Sequence, residues 1–333
     1  MSFIEEIKNR AKQQIKTIIL PEATDIRILK AAQIINKEKY AKVALTGNKE
    51  EIERLIKENN LELGDTQIID PAESDKTSEY AKELYELRKA KGMTEEQAQK
   101  LILEPIYYGM MMVKLNHADG LVSGAAHSTA DTLRPALQIL KTAPGTKLVS
   151  AFFVMVVPNC EYGANGTFIF ADSGLNEEPD ADKLSEIAIS SSKSFKQLVG
   201  EEPKVAMLSY STYGSAHSAS TEKVVEATKL AKEKAPELLI DGELQLDAAI
   251  IPEVAEFKAK GSPLKGEANV LVFPDLGAGN IGYKLTQRLA KAEAYGPLCQ
   301  GIARPVNDLS RGCSSEDVAG VVAITAVQAQ SQG

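Results

Sequence analysis

The chain has 333 residues, of which 44% are hydrophobic and 25% are charged; this balance is typical of globular proteins and excludes a largely disordered chain. A formal net charge of −8 argues against a general nucleic-acid binder, which needs a basic surface to release counterions. No apolar run reaches the roughly 20 residues of a membrane-spanning helix, and the N-terminal segment lacks the apolar core of a secretory signal, so we expect a cytoplasmic protein.

The first half of the chain alternates short apolar runs with longer segments of helical period. Strands are predicted at residues 17–20, 41–45, 67–69 and 120–123, and helices from residue 25, around 80–89 and over 92–116. Such alternation is typical of βα units built around a mostly parallel sheet. The predicted fold class is therefore α/β.

The sequence pattern changes at residues 142–146, "TAPGT", where proline and glycine end a predicted helix and a very apolar run follows. Strands are then predicted at 148–157, 167–170, 205–209 and 270–273, and helices at 182–198, 221–234 and 247–258. A chain of this length exceeds the comfortable size of one hydrophobic core. We predict two α/β domains, residues 1–144 together with 299–333 and residues 145–298, in which the C-terminal tail packs back on the first domain.

Three cysteines and three histidines bear on metals and redox state. An odd number of cysteines without a close pair favours a reducing compartment over a disulfide framework. The histidines do not stand at metal-ligand spacing. No metal site is predicted. These residues are Cys160, Cys299, Cys313, His117, His127 and His217.

The segment "GAGNIG", residues 277–282, has the G-x-G-x-x-G spelling of a dinucleotide-binding turn. A nicotinamide site also needs an acidic residue about 20 positions later to hold the ribose, and that position falls near Ala303 and Arg304. Two explanations stay open for the glycines: an anion at a helix N-terminus, and close packing of a helix on a strand.

The polar segment "PVNDLSRGCSSEDV", residues 305–318, lies between apolar elements, where functional loops are common. Arg311 offers a planar fork for a phosphate or a developing oxyanion, and Ser310 can hydrogen-bond the same group. Asp317 lies one to two helical turns further along. The alternatives are a surface ion pair for Arg311 and, for Asp317, a capping box with Ser314.

A second polar segment, "SGAAHSTADTLRP", follows a predicted strand and supplies the hydroxyls of Ser128 and Thr129 before Arg134. This arrangement suits a phosphate, although Ser128 and Thr129 are also ordinary N-cap residues. His127 alone is more often a loop residue than a catalyst. Arg88 stands in the last turn of a predicted helix, where a cation is favourable for the helix dipole alone.

These segments, together with "CEYGANGTFIFADSG", "DGELQLDAAI" and "FPDLGAGNIGYKLTQRLAKAEAYGP", resemble the phosphate acetyltransferase family over essentially the whole chain. The resemblance implies two α/β lobes related to isocitrate and isopropylmalate dehydrogenases, an active site in the cleft between the lobes, and a homodimer. The related phosphate butyryltransferases do not share the "NDLSRGCS" block. Acetyl is therefore the expected acyl group, with butyryl specificity as the alternative.

The resemblance also implies a reaction and its residues. The thiolate of coenzyme A would attack the acetyl carbonyl of acetyl phosphate directly, in a ternary complex, with coenzyme A as a substrate and no cofactor or metal. Asp317 would be the general base, and Arg311 and Ser310 would hold and polarise acetyl phosphate. The remaining residues expected to contact substrates are Arg88, Arg134, Cys160, Ser128 and Thr129. A nicotinamide dehydrogenase and a non-catalytic acyl-coenzyme A binder remain as competing hypotheses.

Overall fold

The computed structural model describes residues 2–331 and divides the chain into two compact units. The described residues of the first unit fall within Met1–Pro144 and Ile302–Gly333, and the second unit is Gly145–Gly301. The chain therefore leaves the first unit once and returns to it. No helix within residues 2–331 is both long and apolar enough to cross a membrane.

The first pass through the first unit alternates helices and strands. It comprises α1 (Phe3–Ala11), β1 (Thr17–Leu20), α2 (Ile26–Glu38), β2 (Lys42–Thr46), α3 (Lys49–Glu58), β3 (Gln67–Ile69), α4 (Thr77–Arg88), α5 (Glu95–Leu101), α6 (Pro105–Lys114), β4 (Gly120–Ser123) and α7 (Thr129–Ile139). The prediction of one helix over residues 92–116 is wrong. Proline cannot donate a backbone hydrogen bond but fits the first position of a helix, so a new helix begins at Pro105.

The second unit contains β5 (Ser150–Val156), α8 (Tyr162–Asn165), β6 (Thr167–Ala171), α9 (Ala181–Val199), β7 (Lys204–Leu208), α10 (Ala219–Lys234), β8 (Leu239–Leu244), α11 (Leu246–Ile250), α12 (Pro252–Lys258), β9 (Val270–Val272), α13 (Leu276–Leu289) and β10 (Glu293–Gln300). The prediction of one helix over residues 247–258 is wrong for the same reason, because α12 begins at Pro252. Strands β8 and β10 were not predicted, and β10 runs through the predicted domain junction at residues 298–299.

The returning segment adds β11 (Val306–Asp308) and α14 (Ser315–Gln330) to the first unit. Helix α14 is apolar on all sides, and nearly all of it from Val318 to Ala329 is buried, as expected of a helix enclosed by other elements. It packs against α1, α2 and β4, and the Tyr40 hydroxyl donates to the Ala319 carbonyl at 2.9 Å. Since α14 fills the core of the first unit, the loop that precedes it is held in place.

The sheet of the first unit has the order β11-β4-β1-β2-β3, and every neighbouring pair is parallel. The six-stranded sheet of the second unit has the order β10-β5-β6-β9-β7-β8, in which β5 runs antiparallel to β10 and β6 and the other pairs are parallel. The predicted α/β class with mostly parallel sheets is confirmed. In the first sheet, the strand order reverses between β1 and β4, and ligands of such sheets bind at the carboxyl ends of strands beside this switch point.

Candidate active site

Three loops meet at the carboxyl edge of the first sheet. They follow β1, β4 and β11, which are neighbours in the sheet, with Ile19 and Val306 both in register with Leu121. Since the strands are parallel, their carboxyl ends lie at the same edge. The loops therefore lie side by side at the switch point, and two of them carry residues singled out from the sequence.

A buried carboxylate, Glu22, organises the loop after β4. Its Oε2 accepts hydrogen bonds from the amides of Gly124 and Ala125 at 2.9 and 2.8 Å, and its Oε1 accepts from the amides of Ala126 and His127 at 2.8 and 2.7 Å. The Glu22 side chain is only 2% exposed. The four amides of this loop are thus already paired with an anion of the protein. Sequence reasoning missed Glu22; an acidic residue directly after a buried strand was the signal available.

Arg27, near the start of α2, ties two of the loops together. Its Nη2 donates to the Ala125 carbonyl at 2.8 Å, and its Nη1 donates to the carbonyls of Arg311 and Cys313 at 2.6 and 3.1 Å. Asp25 pairs with the same guanidinium at 2.6 Å, and the hydrogen bond from Arg27 lowers the pKa of Asp25. Arg27 therefore fixes the backbone of the loop after β11 against the loop after β4. Sequence reasoning did not identify this residue.

Ser310 and Arg311 lie on an exposed turn. The Cys313 amide donates to the Ser310 carbonyl at 2.9 Å, and the Gly312 amide approaches the Ser310 Oγ at 3.3 Å. Within the described part of the chain, the Arg311 guanidinium has no hydrogen-bond or ion-pair partner, so the alternative of an ion pair with Asp308 or Glu316 is not realised. The fork of Arg311 is available to an anionic ligand.

Asp317 forms the capping box considered as its alternative role. Its Oδ2 accepts from the Ser314 amide at 2.8 Å, and its own amide donates to the Ser314 Oγ at 3.1 Å. The side chain is exposed. Among residues 2–331 no hydrogen bond engages Oδ1, so the cap uses one carboxylate oxygen and leaves the other available.

The two hydroxyls of "HSTAD" are engaged within the protein. Ser128 caps α7 and its Oγ donates to the Asp131 Oδ2 at 2.6 Å, while the Thr129 Oγ1 donates to the Asp308 Oδ2 at 2.6 Å. Burial raises the pKa of Asp308 to about 6, although the bond from Thr129 opposes that rise. Ser128 therefore has the capping role given as its alternative, and Thr129 donates a hydrogen bond to a buried carboxyl group.

Arg88 and Arg134 lie near a common phenol. Burial raises the pKa of Tyr107, and the positive charges of Arg134 and Arg88 oppose that rise. Arg134 is 60% exposed and pairs loosely with Asp131 at 3.6 Å. The Arg88 Nε is buried and has no partner among the described residues. The structure thus brings the two predicted coenzyme A contacts together around Tyr107, and no hydrogen bond among residues 2–331 joins them to Arg311.

Cys160 belongs to the second unit, in the connection between β5 and α8. Its thiol is free and partly buried, and it packs against an apolar cluster that includes Phe153, Phe168 and Leu271. These surroundings are those of a small apolar residue. Its predicted role near the substrates stays a prediction.

The glycines of "GAGNIG" lie inside α13, which begins at Leu276 and is capped by Asp275. The Asp275 carboxylate accepts from the Ala278 amide at 2.8 Å. A side chain at Gly279 would collide with the backbone oxygen of Asp172. Of the two explanations offered for this motif, the close packing of a helix is therefore the one that the structure supports.

The parallel sheet and its convergent polar loops define an α/β protein with an enzyme-type site at a strand-order switch point. Residues 2–326 match the family described as phosphate acetyl/butaryl transferase, and the chain belongs to this family of acyltransferases. It is 69% identical to a phosphate acetyltransferase of Acetivibrio thermocellus over 330 residues, which is 99% of each chain. The resemblance found in the sequence is confirmed.

Solved structures agree with this assignment. A phosphotransacetylase from Streptococcus pyogenes superimposes with a TM-score of 0.92 at 42% identity, over 99% of this chain and 100% of the other. A putative 4-hydroxythreonine-4-phosphate dehydrogenase from Salmonella typhimurium aligns with a TM-score of 0.53 at 11% identity, over 94% and 99% of the two chains. The latter likeness concerns the fold alone.

Proposed function

We propose that this protein transfers an acetyl group reversibly between coenzyme A and inorganic phosphate, converting acetyl-coenzyme A and phosphate into acetyl phosphate and coenzyme A. The observation that carries the proposal is the 69% identity to a phosphate acetyltransferase over 99% of both chains. The arrangement of the three loops supports it, because the Arg311 fork and one oxygen of Asp317 stand unengaged beside the switch point.

In the proposed reaction the coenzyme A thiol gives its proton to Asp317 as the sulfur attacks the acetyl carbonyl carbon. The tetrahedral oxyanion collapses, the bond between carbon and the phosphoryl oxygen breaks, and the thiol's proton finally resides on the released phosphate. A thiol of pKa about 8.5 lies roughly 4.6 units above an ordinary aspartate, a gap of about 6 kcal/mol. Asp317 alone is too weak a base to remove this proton in advance.

Arg311 and Ser310 supply the missing stabilisation in this proposal. One well-placed donor to an oxyanion contributes about 2.7 to 4 kcal/mol, so a guanidinium and a hydroxyl together are enough to cover most of the gap. Arg27 acts indirectly, since it fixes the Arg311 carbonyl at 2.6 Å and so limits the positions that the Arg311 side chain reaches. Positioning of this kind is a large part of catalytic power.

We further propose that the reaction proceeds in a ternary complex without a resident cofactor or metal, and that Arg88 and Arg134 bind the phosphates of coenzyme A. The buried, unpartnered Arg88 Nε supports the second statement, because a buried donor without an acceptor is costly in the absence of a ligand. Activity that disappears after dialysis against a chelator, and returns with a metal, would contradict the first.

A homodimer and a cytoplasmic location also stay proposals. Helix α13 presents three exposed apolar side chains one turn apart, Ile281, Leu285 and Leu289, of which Leu289 is 78% exposed. Such a stripe is typical of a helix that packs against another chain. Light scattering on the wild type and on Leu285→Lys/Leu289→Lys tests the dimer, and a monomeric wild type would contradict it.

The test of the main proposal is the formation of a thioester, followed by its ultraviolet absorbance, when the protein is mixed with acetyl phosphate and coenzyme A. We expect the rate at which the absorbance rises to be proportional to the enzyme concentration. The absorbance should fall again when excess phosphate is added. Butyryl phosphate is the comparison substrate for acyl specificity. Absence of thioester formation by the folded protein would refute the proposal, and faster reaction with butyryl phosphate would favour the alternative acyl group.

A further inference from the structure

The His127 side chain has one nitrogen held by the protein and one that is not. Its Nδ1 lies 2.8 Å from the Glu22 Oε1. Both Glu22 oxygens already accept backbone amides, and a carboxylate is only an acceptor, so Nδ1 is the donor in this contact. The imidazole is 41% exposed, and its Nε2 has no partner in the described part of the chain.

The ring is held rigidly. Glu22 is fixed by four amide hydrogen bonds from residues 124–127, and its side chain is 2% exposed. The His127 backbone amide donates to the same oxygen that accepts from its ring. A side chain tied at both its backbone and its ring keeps Nε2 in one place, as a preorganised binding group requires.

Of the three polar side chains at residues 127–129, only that of His127 has a hydrogen-bonding atom without a partner among the described residues. The Ser128 hydroxyl donates to Asp131 at 2.6 Å, and the Thr129 hydroxyl donates to the buried Asp308 at 2.6 Å. The four amides of the preceding loop are engaged by Glu22. Of the side-chain groups that this segment offers to an anion, the His127 Nε2 remains.

The loop that carries His127 adjoins the loop that carries Arg311. One guanidinium, that of Arg27, donates to the Ala125 carbonyl at 2.8 Å and to the Arg311 carbonyl at 2.6 Å. A phosphoryl group has three terminal oxygens, and an arginine fork satisfies two of them. A phosphoryl oxygen that the Arg311 fork does not engage can be contacted from the adjoining loop.

From this geometry we infer that His127 is a phosphoryl-binding residue of the reaction proposed above: its Nε2 contacts acetyl phosphate or inorganic phosphate, and Glu22 is its positioning residue. The inference rests on the proposed function. An imidazolium donates from Nε2 to an oxygen of either substrate, and a neutral ring accepts from the P–OH of hydrogen phosphate.

The variants that test this inference are His127→Asn, His127→Gln and, as a matched exposed histidine in the second unit, His217→Asn. An asparagine keeps an N–H near the position of Nδ1, and so keeps the bond to Glu22, but it lacks the second nitrogen. We expect His127→Asn to raise the KM for phosphate and for acetyl phosphate by about tenfold or more, the scale of one hydrogen bond to a charged group. The KM for coenzyme A should stay within about twofold, and His217→Asn should match the wild type.

His127→Gln, whose amide reaches the position of Nε2, should recover part of the loss. Glu22→Gln should raise the KM for phosphate as His127→Asn does, and the double variant should be no worse than either single one, because both changes remove the same contact. Should Glu22→Gln fail to fold, the His127 variants still decide. An unchanged KM for phosphate in His127→Asn overturns the inference. An equal rise in the KM for phosphate and the KM for coenzyme A, together with a lower melting temperature, also overturns it.

Failure of the proposed function is a separate result. If the wild type makes no thioester, binding of inorganic phosphate alone is measured by calorimetry on the wild type and on His127→Asn. Weaker binding by the variant would then still support His127 as a phosphate ligand, and equal binding would overturn it.

Discussion

The most informative perturbation separates the cap that Asp317 forms at the start of α14 from the catalytic role proposed for it. In Asp317→Asn the side-chain oxygen still accepts from the Ser314 amide, at 2.8 Å in the wild type, and the amide of residue 317 still donates to the Ser314 Oγ. The carboxylate, however, is no longer present to take a proton. In Ser314→Ala the cap loses its hydroxyl, while Asp317 keeps its charge and its bond from the backbone of residue 314.

The magnitudes differ enough to be told apart. Asp317→Asn loses the interaction of a negative charge with the helix dipole, about 0.3 to 1 kcal/mol, and should lower kcat by about 10² to 10⁴ because a general base is removed. Ser314→Ala should lower the free energy of unfolding by about 1 kcal/mol, while kcat falls no more than a few-fold. Asp317→Asn should therefore be nearly as stable as the wild type but much slower. Ser314→Ala should be less stable than the wild type but nearly as active.

The assay is initial-rate thioester formation at saturating acetyl phosphate and coenzyme A, with urea unfolding of each variant measured alongside. The KM values of Asp317→Asn should stay close to those of the wild type, since the carboxylate acts in the transition state rather than in binding. Wild-type turnover by Asp317→Asn would refute the reasoning and leave the capping box as its only role. A loss of activity in Ser314→Ala as large as in Asp317→Asn would show that the effect comes from helix capping.

Three further predictions follow from other parts of the structure. Arg88→Gln and Arg134→Gln should raise the KM for coenzyme A more than the KM for its 3′-dephospho analogue, and equal losses for the two would contradict phosphate recognition. Cys160→Ala should retain activity, since the thiol packs against an apolar cluster; an inactive but folded variant would indicate a covalent mechanism. Burial raises the pKa of Asp308 to about 6, above its unfolded value of about 3.9. The folded wild type therefore binds more protons than the unfolded chain between these values and loses stability as the pH rises through them. Asp308→Asn should gain stability relative to the wild type by on the order of 3 kcal/mol between about pH 4 and 7, as measured by urea unfolding, and a pH-independent difference would contradict the argument.

The elements that the sequence predicted well are those whose pattern is local. Strands β1, β3 and β4 begin and end at the predicted residues. β1 and β4 are largely buried, and a short buried strand of a parallel sheet has a nearly uninterrupted apolar sequence. Two helices were predicted too long because the helical periodicity continues past Pro105 and Pro252. In the structure a new helix begins at each of these prolines. Strand β10 was missed because its residues Ala294 to Pro297 are only partly buried and give no continuous apolar signal.

Long-range pairing limited what the sequence reveals of the candidate site. The capping box of Asp317 joins residues three positions apart and was foreseen, whereas Glu22 contacts amides more than 100 positions away and Arg27 contacts a carbonyl 284 positions away. No local pattern encodes either partner. Only the sheet order, which puts β11, β4 and β1 side by side, brings these groups together.

The arrangement of charges explains how an acidic chain can offer a site to phosphate. Glu22 and Asp308 are 4% and 1% exposed. The first accepts hydrogen bonds from four amides and the His127 ring, and the second accepts one from the Thr129 hydroxyl. Glu22 accepts hydrogen bonds from four amides that would otherwise be available to an anion. The two arginines also differ in their partners. The Arg27 guanidinium is hydrogen-bonded to backbone carbonyls and paired with Asp25, whereas the Arg311 guanidinium has no partner among the described residues. The proposed phosphate site therefore combines the unengaged guanidinium of Arg311 with the imidazole of His127, which Glu22 holds in place.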